Sequence, residues 1–419
     1  MKKIYYKIIF EAETALAVGS GSNDNSDNDI VKNNRGEAFI PGSSLAGIYR
    51  SFFEKEEADK YFGRIDKKNQ DNSTESLVVV YDASIMENEY HKVSKRDCVA
   101  IDDKTKVAKK GAKFDFEILE PHVKFVTYIE QNINDGNDEN IIDIILGKWK
   151  GNQILIGGKT ARGCGKTKLL EVYKKEYNLP EDRESWLKFD MYNWENDESI
   201  LDEIKQESDD EISFNIKLKQ AGGISIRKYT TAINKVDDAK PDYEQYGYYN
   251  KNKEFVPVIS GTSWAGSFRH HISSMNSEIL MEDIFGKLEK KSSIFFSDSE
   301  IEEAHEKLVT RNAINRFTGG GVKGALYTEK FYYGGYTSLT ISIKRDAMTV
   351  EFSKALSCTI ADLHSGILSL GGLTSVGRGL FVIEKIELNN DKIWEKDDKQ
   401  RYEQANDIYE ILNKKLEVC

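Results

Sequence analysis

With 419 residues, the chain is longer than the size at which one hydrophobic core keeps growing, so its length predicts two domains. Its 39% hydrophobic and 11% aromatic residues, with only 5 prolines, exclude a fully disordered or fibrous chain. A formal net charge of -11 argues against nonspecific coating of nucleic acid, which needs clustered Lys and Arg, but it leaves room for a local basic groove.

The distribution of apolar residues and cysteines predicts a cytoplasmic protein with no membrane partner. No run of about 18 apolar residues occurs, and the start of the chain turns acidic too early for a signal peptide. The four cysteines lie far apart without CxxC spacing, so we expect reduced thiols rather than a disulfide framework or a zinc site.

The first half of the chain predicts strands around one well-marked helix. A strand is predicted over residues 4–11, and a long polar loop follows at 19–36. The next helix has Ser43 and Ser44 as candidate N-cap residues. A strand, a variable insert and further strands lead to a Gly-rich turn at 157–165. This order of elements predicts an α+β fold with a split βαβ sheet.

The second half repeats this order with matching residues. Residues 40–50 recur as 259–269, and the Gly-rich turn recurs at 371–379. Further matches in the same order are 61–63 with 284–286, Asp82 with Asp298, the segment starting at Arg96 with that starting at Arg311, and 111–114 with 324–327. The matches predict a tandem duplication, with domains at 1–205 and 206–388 and an amphipathic helical tail at 389–419.

The repeated helix start is a candidate phosphate site. Glycine lets the backbone approach a ligand, free N–H groups at a helix start attract an anion, and an arginine two turns later adds a charge-assisted contact. The candidate RNA-binding residues are Gly42, Ser43, Ser44 and Arg50 in the first copy and Gly261, Thr262, Ser263 and Arg269 in the second. The alternative is an ordinary helix cap with a surface arginine.

The Gly-rich turns are a second candidate phosphate site. Residues 165–167 resemble the end of a Walker A loop, but Thr160 stands where that motif needs glycine, so an NTPase is not expected. Backbone amides in such a turn, with cations nearby, suit a polynucleotide phosphate. The candidate residues are Lys159, Arg162, Gly163, Lys166, Gly377 and Arg378. The alternative is a tight connection between strands.

Familiar catalytic motifs are missing from the sequence. Neither GxSxG nor HExxH occurs, and the adjacent His270 and His271 have no counterpart in the first copy. A carboxylate in the polar loops, such as Asp24, Asp27 or Asp29, would hold a divalent cation beside an RNA phosphate or assist attack by the 2′-hydroxyl, although such loop residues otherwise indicate solvation and turns. Aromatic residues that would stack on unpaired bases, or else pack in a core, are Tyr327, Phe331, Tyr332, Tyr333 and Tyr336.

Together these motifs resemble the RAMP superfamily, whose members form the backbone of type III CRISPR effector complexes. The resemblance rests on the Asp-bearing polar loop, the IPGSS helix start with its arginine, the FG pair, the strand ending in Asp, the Arg-led segment and the GG-T-GxG turn, and it spans nearly the whole chain twice. It implies two tandem, modified ferredoxin-like domains of the RNA-recognition type. Each domain would carry a β-hairpin thumb, within 97–116 and 312–331.

The resemblance also implies a function. It implies a subunit that binds CRISPR guide RNA and target RNA beside other RAMP subunits, and that cleaves target RNA with Mg²⁺ or another divalent cation. Asp27 and Asp242 are the implied catalytic and metal-binding residues, with Asp29 and Asp238 as alternates. Two alternatives stay open, namely a structural RNA-binding subunit of the same complex that does not cut, and an endonuclease that processes guide RNA.

Overall fold

The structure is a computed structural model that describes residues 1–21, 28–66, 73–101, 108–134, 140–194, 197–207, 211–228, 241–275, 279, 281–287 and 290–416. The chain divides into two compact units. Unit 1 comprises residues 1–95, 115–160 and 164–209, and unit 2 comprises 96–114, 161–163 and 210–419. Two short segments from the first half of the chain therefore belong to unit 2.

Strands dominate the first half of the chain. They are β1 (Lys2–Ala12), β2 (Gly19–Gly21), β3 (Asp29–Ile30), β4 (Phe39–Ile40), β5 (Val78–Val80), β6 (Ala83–Ile85), β7 (Val93–Ile101), β8 (Ala108–Leu119), β9 (Lys124–Ile133) and β10 (Thr167–Asn178). The helices are α1 (Gly42–Arg50), α2 (Lys55–Phe62), α3 (Ile141–Lys150) and α4 (Arg183–Lys188). The main sheet of unit 1 is antiparallel, in the order β10-β1-β9-β6-β4, with β5 also paired to β9.

Strand β1 lies inside the sheet and is covered on both faces, which explains why its apolar alternation is weak. Tyr6, Ile8 and Phe10 pack in the hydrophobic core of unit 1. On the other face, the Tyr5 ring lies 4.9 Å from that of Phe189. A strand with two buried faces reads as a nearly continuous apolar run rather than as an alternation.

The second half of the chain contains a matching set of elements. Its strands are β11 (Glu211–Gln220), β12 (Gly223–Ile224), β13 (Arg227–Lys228), β14 (Tyr243–Gln245), β15 (Gly247–Tyr249), β16 (Phe255–Ile259), β17 (Ile294–Phe296), β18 (Ser299–Glu302), β19 (His305–Ile314), β20 (Gly321–Tyr333), β21 (Tyr336–Lys344), β22 (Phe381–Leu388) and β23 (Asp391–Glu395). Its helices are α5 (Gly261–Met275), α6 (Met281–Phe285), α7 (Val350–Ser365) and α8 (Arg401–Leu416).

The sequence repeat corresponds to a repeat in topology. The main sheet of unit 2 contains the order β22-β11-β21-β18-β16, which is the unit 1 order with each strand replaced by its counterpart. The two units also share a register shift. It lies between Ile9 and Phe10 where β1 pairs with β10, and between Lys217 and Leu218 where β11 pairs with β22. The predicted α+β class is confirmed. The assignment to two tandem ferredoxin-like domains with thumbs stays a prediction.

The segment before and the segment after unit 2's sheet both pack on hydrophobic cores. Ile204, near the predicted boundary, belongs to the core of unit 1, and Lys150 donates to the carbonyls of Leu201 and Ile204. The predicted amphipathic tail forms α8, whose Ile408 and Leu412 are buried in the core of unit 2. In the described part of the chain, no helix is both long and apolar enough to cross a membrane.

Candidate nucleic-acid interface

The first predicted phosphate site, at the start of α1, is already occupied by a carboxylate of the protein. Pro41 is the N-cap residue and no side chain of its own turn caps the helix, so the prediction that Ser43 and Ser44 are N-caps is wrong. Instead the N–H of Gly42 donates to Asp82 Oδ1 at 2.7 Å. A carboxylate at this point satisfies the helix start and repels a phosphate from the same N–H group.

Arg50 ties two helices together. Its Nη1 donates to the carbonyl of Gly63 at 2.7 Å, and its Nη2 forms an ion pair with Asp59 on α2. These bonds hold the end of α1 against α2 and its glycine C-cap. The guanidinium is therefore engaged in structural contacts, which weakens the interpretation of Arg50 as a phosphate ligand.

The matching helix start in unit 2 has the same design. The N–H of Gly261 donates to Asp298 Oδ1 at 2.7 Å. The hydroxyl of Ser260, which is the residue before the helix, bonds those of Thr262 and Ser263 at 2.9 Å each. Thus all three predicted binding residues, Gly261, Thr262 and Ser263, have partners within unit 2.

Arg269 lies two turns further along α5, beside an open hollow. The hollow has a volume of about 460 Å³ and includes His270, Glu282, Asp283 and Lys287 in its lining. Two acidic residues balance the cations of this surface, so a single polyanion has no clear preference for it. Arg269 stays a predicted RNA contact.

The Gly-rich turn at 157–165 places its cations near aromatic rings. Lys159 Nζ lies 5.6 Å from the centroid of Phe116, and the Arg162 guanidinium lies 4.5 Å from that of Phe114. Lys166 Nζ forms an ion pair with Glu13 Oε2 at 3.0 Å. Gly163 is buried. These four candidates are thus positioned by packing and pairing in the described structure.

The Gly-rich turn at 371–379 separates its two candidates. Gly377 is exposed, whereas Arg378 is only 6% exposed and forms an ion pair with the fully buried Glu329 at 2.9 Å. The guanidinium also lies 3.3 Å from the centroid of Phe331, and burial lowers the pKa of Arg378. Since its charge is paired inside the unit, Arg378 does not present a free cation to a phosphate.

An open cleft of about 650 Å³ lies beside this turn in unit 2. Its lining includes Lys307 and Arg311 from β19, the exposed side of Tyr333, and Gly377. Sequence reasoning named Tyr333 and Gly377 but missed the two cations. The signal for Arg311 was its recurrence at the position of Arg96 in the first copy.

The hairpin formed by β19 and β20, hereafter hairpin 305–333, carries exposed apolar side chains on a basic background. Phe317 at its turn is 93% exposed, and Leu326 and Ile314 are 65% and 64% exposed. Residues 305–333 contain five Lys or Arg and two Glu, although the whole chain has a net charge of -11. Of the aromatic residues predicted to stack on bases, Phe331 and Tyr332 are buried, and Tyr333 is 43% exposed.

The structure describes two of the four predicted catalytic or alternate aspartates, Asp29 and Asp242. Asp27 and Asp238 lie outside the described residues. Asp242 is exposed. It forms two hydrogen bonds with Thr328 of β20: its Oδ2 accepts from the N–H of Thr328 at 2.7 Å, and its own N–H donates to the Thr328 carbonyl at 2.9 Å. Asp29, the alternate, is 7% exposed in β3.

The fit of these carboxylates to a divalent cation depends on ligands from elsewhere. Within the described ranges, no group of three His, Cys, Asp or Glu residues is arranged to hold a metal ion. Asp242 has one carboxylate oxygen without a hydrogen bond among these residues, since the other accepts from Thr328. Mg²⁺ retains several waters and commonly takes one or two carboxylates plus phosphate oxygens, so Asp242 fits as a single ligand.

Comparisons with known proteins identify the family. A search of curated proteins found no match. The family model of the RAMP superfamily matches residues 9–168 and 237–382, which together make up well over half of the chain and fall on the two copies of the repeat. The chain therefore belongs to the RAMP superfamily.

Proposed function

We propose that the chain is an RNA-binding backbone subunit of a type III CRISPR ribonucleoprotein, and that hairpin 305–333 inserts its tip into bound RNA. The observation that carries the proposal is the side chain of Phe317, which is 93% exposed at the turn of a basic hairpin. Membership of the RAMP superfamily supports the RNA-binding role. Guide RNA, target RNA and other RAMP subunits would be the partners.

The chemistry of the hairpin suits a wedge between bases. Stacking of an exposed aromatic side chain on a base is favourable, and the stabilisation depends little on which base is stacked. Lys323 and Arg316, near the tip, would contact the backbone phosphates on either side of the opened step. Base pairing between guide and target would supply the sequence choice, so the protein would need to recognise only backbone and shape.

The wedge is tested with Phe317→Ala. Loss of one base–aromatic stack costs about 1–3 kcal/mol, so the affinity for a guide and target RNA duplex should fall about 5- to 150-fold in a filter-binding or fluorescence assay. Tyr402→Ala is the matched control, because Tyr402 is also an exposed aromatic residue, 66% exposed, but lies on α8. Equal affinities for wild type and Phe317→Ala would refute the wedge.

We further propose that the loop aspartates Asp27 and Asp242 support metal-dependent cleavage of the target RNA. The observation behind this step is that the Asp242 carboxylate is exposed and is bonded to Thr328 on β20, so RNA held by the hairpin would pass near it. A divalent cation at such a carboxylate would stabilise charge on the reacting phosphate. Asp242 would orient this cation, while its bond to Thr328 would keep the carboxylate in place.

Cleavage is tested with Asp27→Ala and Asp242→Asn in the assembled complex supplied with Mg²⁺. Asp242→Asn keeps an oxygen that accepts from Thr328, so the hairpin contact survives while the charge is lost. Each variant should lose its own set of cuts and retain RNA affinity. Unchanged cuts in the double variant would favour the structural subunit, and cutting of precursor RNA by the isolated chain would favour a guide-processing enzyme.

A further inference from the structure

One face of the unit 1 sheet alternates lysine with tyrosine. Three successive residue pairs between β1 and β10 each join a lysine to a tyrosine, and they are Lys3 with Tyr177, Tyr5 with Lys175, and Lys7 with Tyr173. Along β1 these residues alternate with Ile4, Tyr6 and Ile8, which belong to the core, so they lie on the sheet face turned away from the core. The six residues are hereafter the Lys/Tyr face.

A segment that follows β10 lies on this face without joining the core. It comprises residues 181–194, hereafter the strap, and includes α4. The indole N–H of Trp186 donates to the Tyr5 hydroxyl at 2.8 Å. The Phe189 ring lies 4.9 Å from that of Tyr5 and 5.4 Å from that of Tyr177. The structure describes every residue of the strap and none is buried, so half-exposed side chains alone hold the strap on the face.

The strap and the residues after it meet the lysines of the face with rings and carboxylates. Lys175 Nζ lies 5.4 Å from the centroid of Phe189 and 5.2 Å from that of Trp194. It also forms an ion pair with Asp197 Oδ2 at 3.0 Å. Residues 181–203 contain nine Asp or Glu and only two Lys or Arg. This segment therefore offers the face the two features of a single-stranded RNA, namely planar rings and negative charge.

The fold itself does not require this composition. When β1 and β11 are aligned on their shared register shift, Ser213 takes the place of Tyr5. Asn215 likewise takes the place of Lys7. Lys7 forms no ion pair with any residue that the structure describes, and its Nζ lies 5.4 Å from the centroid of Tyr173. A face that served only as a second core would favour aliphatic side chains over lysines, so the regular spacing of cations and rings indicates a binding surface.

We propose that the Lys/Tyr face is a binding surface for single-stranded RNA, and that the strap occupies it as an internal competitor. RNA that displaces the strap stacks its bases on the tyrosine rings and places phosphates at Lys7 and Lys175. The displaced strap stays tethered through β10 and through Ile204, which is buried in the core of unit 1. The surface belongs to unit 1, so the inference goes beyond the wedge proposed for hairpin 305–333 of unit 2.

Competition by the strap sets the size of the expected effect. When a surface is free for only a fraction of the time, its apparent dissociation constant is the intrinsic constant divided by that fraction. A strap that covers the face for about 90–99% of the time therefore weakens RNA binding about 10- to 100-fold. Loosening the strap should strengthen RNA binding, whereas loosening a segment with a purely structural role should not.

The test measures the affinity of the full-length, nuclease-treated protein for a fluorescent oligouridylate of about ten nucleotides by fluorescence anisotropy. A release variant, Trp186→Ala with Phe189→Ala, removes two strap rings without changing the charge and should bind the oligonucleotide at least about 10-fold more tightly than wild type. Trp194→Ala loosens the strap at a different point and should also bind more tightly. Leu187→Ala is the matched control, because Leu187 lies on α4 with its side chain 65% exposed, and it should bind like wild type.

A charge reversal on the face separates this surface from every other RNA contact. Lys7→Glu should leave the affinity of the wild-type protein nearly unchanged, because the strap covers the face, but it should abolish the gain of the release variant. Lys414→Glu, on the exposed side of α8, is the matched reversal and should leave that gain intact.

Hydrogen exchange provides a second measurement that needs no substitution. Saturating oligouridylate should speed the exchange of the strap amides in the wild-type protein, while the β1 amides stay protected. In the release variant, protected β1 amides show that unit 1 remains folded. The proposal is overturned if the release variant and Trp194→Ala bind no better than wild type, if Lys7→Glu leaves the gain intact, or if saturating RNA leaves the exchange of the strap unchanged.

Discussion

The two Gly-rich turns share a sequence pattern, but the buried side chains at matched positions differ in polarity and charge. The position before the last glycine of the turn is Cys164 in the first copy and Arg378 in the second, and both side chains are buried. The strand position matched to Glu329 of β20 is Phe116 of β8, which is 1% exposed. At these two positions the first copy thus has a buried thiol and a buried aromatic ring, whereas the second copy buries an ion pair.

The comparison shows that the fold accepts either apolar side chains or a buried ion pair at these positions. The ion pair is not expected to make the unit much more stable than apolar side chains would. Removing two charges from water costs several kcal/mol per ion, and the attraction inside the protein only roughly offsets that cost. Glu329 Oε1 is buried without a hydrogen-bond partner in the described structure, so the pair is incompletely satisfied. The stack of Arg378 on Phe331 supplies part of the compensation.

The largest expected effect comes from breaking the pair. Glu329→Ala leaves the Arg378 guanidinium buried without a counter-charge, and such a change costs about 3–5 kcal/mol. The loss should appear in the free energy of opening of the β20 amides, measured by hydrogen exchange under native conditions. The amides of β1 in unit 1 should exchange as in wild type.

A glutamate on the same hairpin is the matched control. Glu306 Oε2 pairs with Lys330 at 2.8 Å, and its side chain is 50% exposed. Solvent screens this pair, so Glu306→Gln should change the stability by only about 0–1 kcal/mol. Equal losses from Glu306→Gln and Glu329→Ala would show that burial does not distinguish the two pairs.

Transplanting the chemistry of the first copy tests the comparison directly. Glu329→Phe and Arg378→Cys, made together, place a ring and a thiol where the first copy has them. The double variant should be more stable than the sum of the single losses predicts, by about 0.5–3 kcal/mol in a double-mutant cycle, because each single change leaves a buried charge unpaired. Additive losses would mean that the two turns are not interchangeable.

The units also differ in their buried histidines, which predicts a pH dependence for unit 2. His364 is fully buried in α7, its Nδ1 accepts from the N–H of Ile383 at 3.2 Å, and burial lowers the pKa of His364 from 6.5 to about 4. The unfolded chain takes up a proton near pH 6.5, so the stability is full above that value and falls towards pH 4. Between pH 7 and pH 5 the loss should be about 2 kcal/mol.

The contribution of His364 is isolated by comparison with His364→Gln, which does not titrate. The loss between pH 7 and pH 5, measured from the exchange of α7 amides, should be about 2 kcal/mol smaller in this variant. The same slope in wild type and variant would assign the pH dependence to other groups.

The order of elements along each copy was largely predictable because it depends on local patterns. The apolar run at 4–11 marked the first strand of the first copy within two residues of the bounds of β1, and six collinear matches predicted that the same elements recur in the second copy. The assignment of two segments of the first copy to unit 2 was not predictable. Residues 96–114 and 161–163 belong to unit 2 through contacts with residues far away in sequence, such as that of Arg96 with Asp298.

The candidate site was less predictable, because the partner of a polar side chain is chosen by the fold. Ser43 and Ser44 have the local pattern of helix caps, yet Asp82 takes that role from a neighbouring strand end. Arg378 resembles a phosphate ligand in sequence, but Glu329 neutralises it inside the unit. The recurrence of Asp82 as Asp298 was the signal for the cap, since a repeated acidic residue after a strand indicates a shared contact.

The smallest expected effect concerns how the long helix of each unit begins. Thr349 Oγ1 accepts from the N–H of Phe352 at 3.2 Å and caps α7, whereas Asn140 precedes α3 without a side-chain cap. Thr349→Ala should therefore lower the free energy of unfolding of unit 2 by about 1 kcal/mol. Thr349→Ser, which keeps the hydroxyl, should lower it by only about 0.3 kcal/mol. Hydrogen exchange of the first-turn amides of α7 gives both values. If the alanine and serine variants lose equal stability, the threonine methyl rather than its hydroxyl stabilises the start of α7.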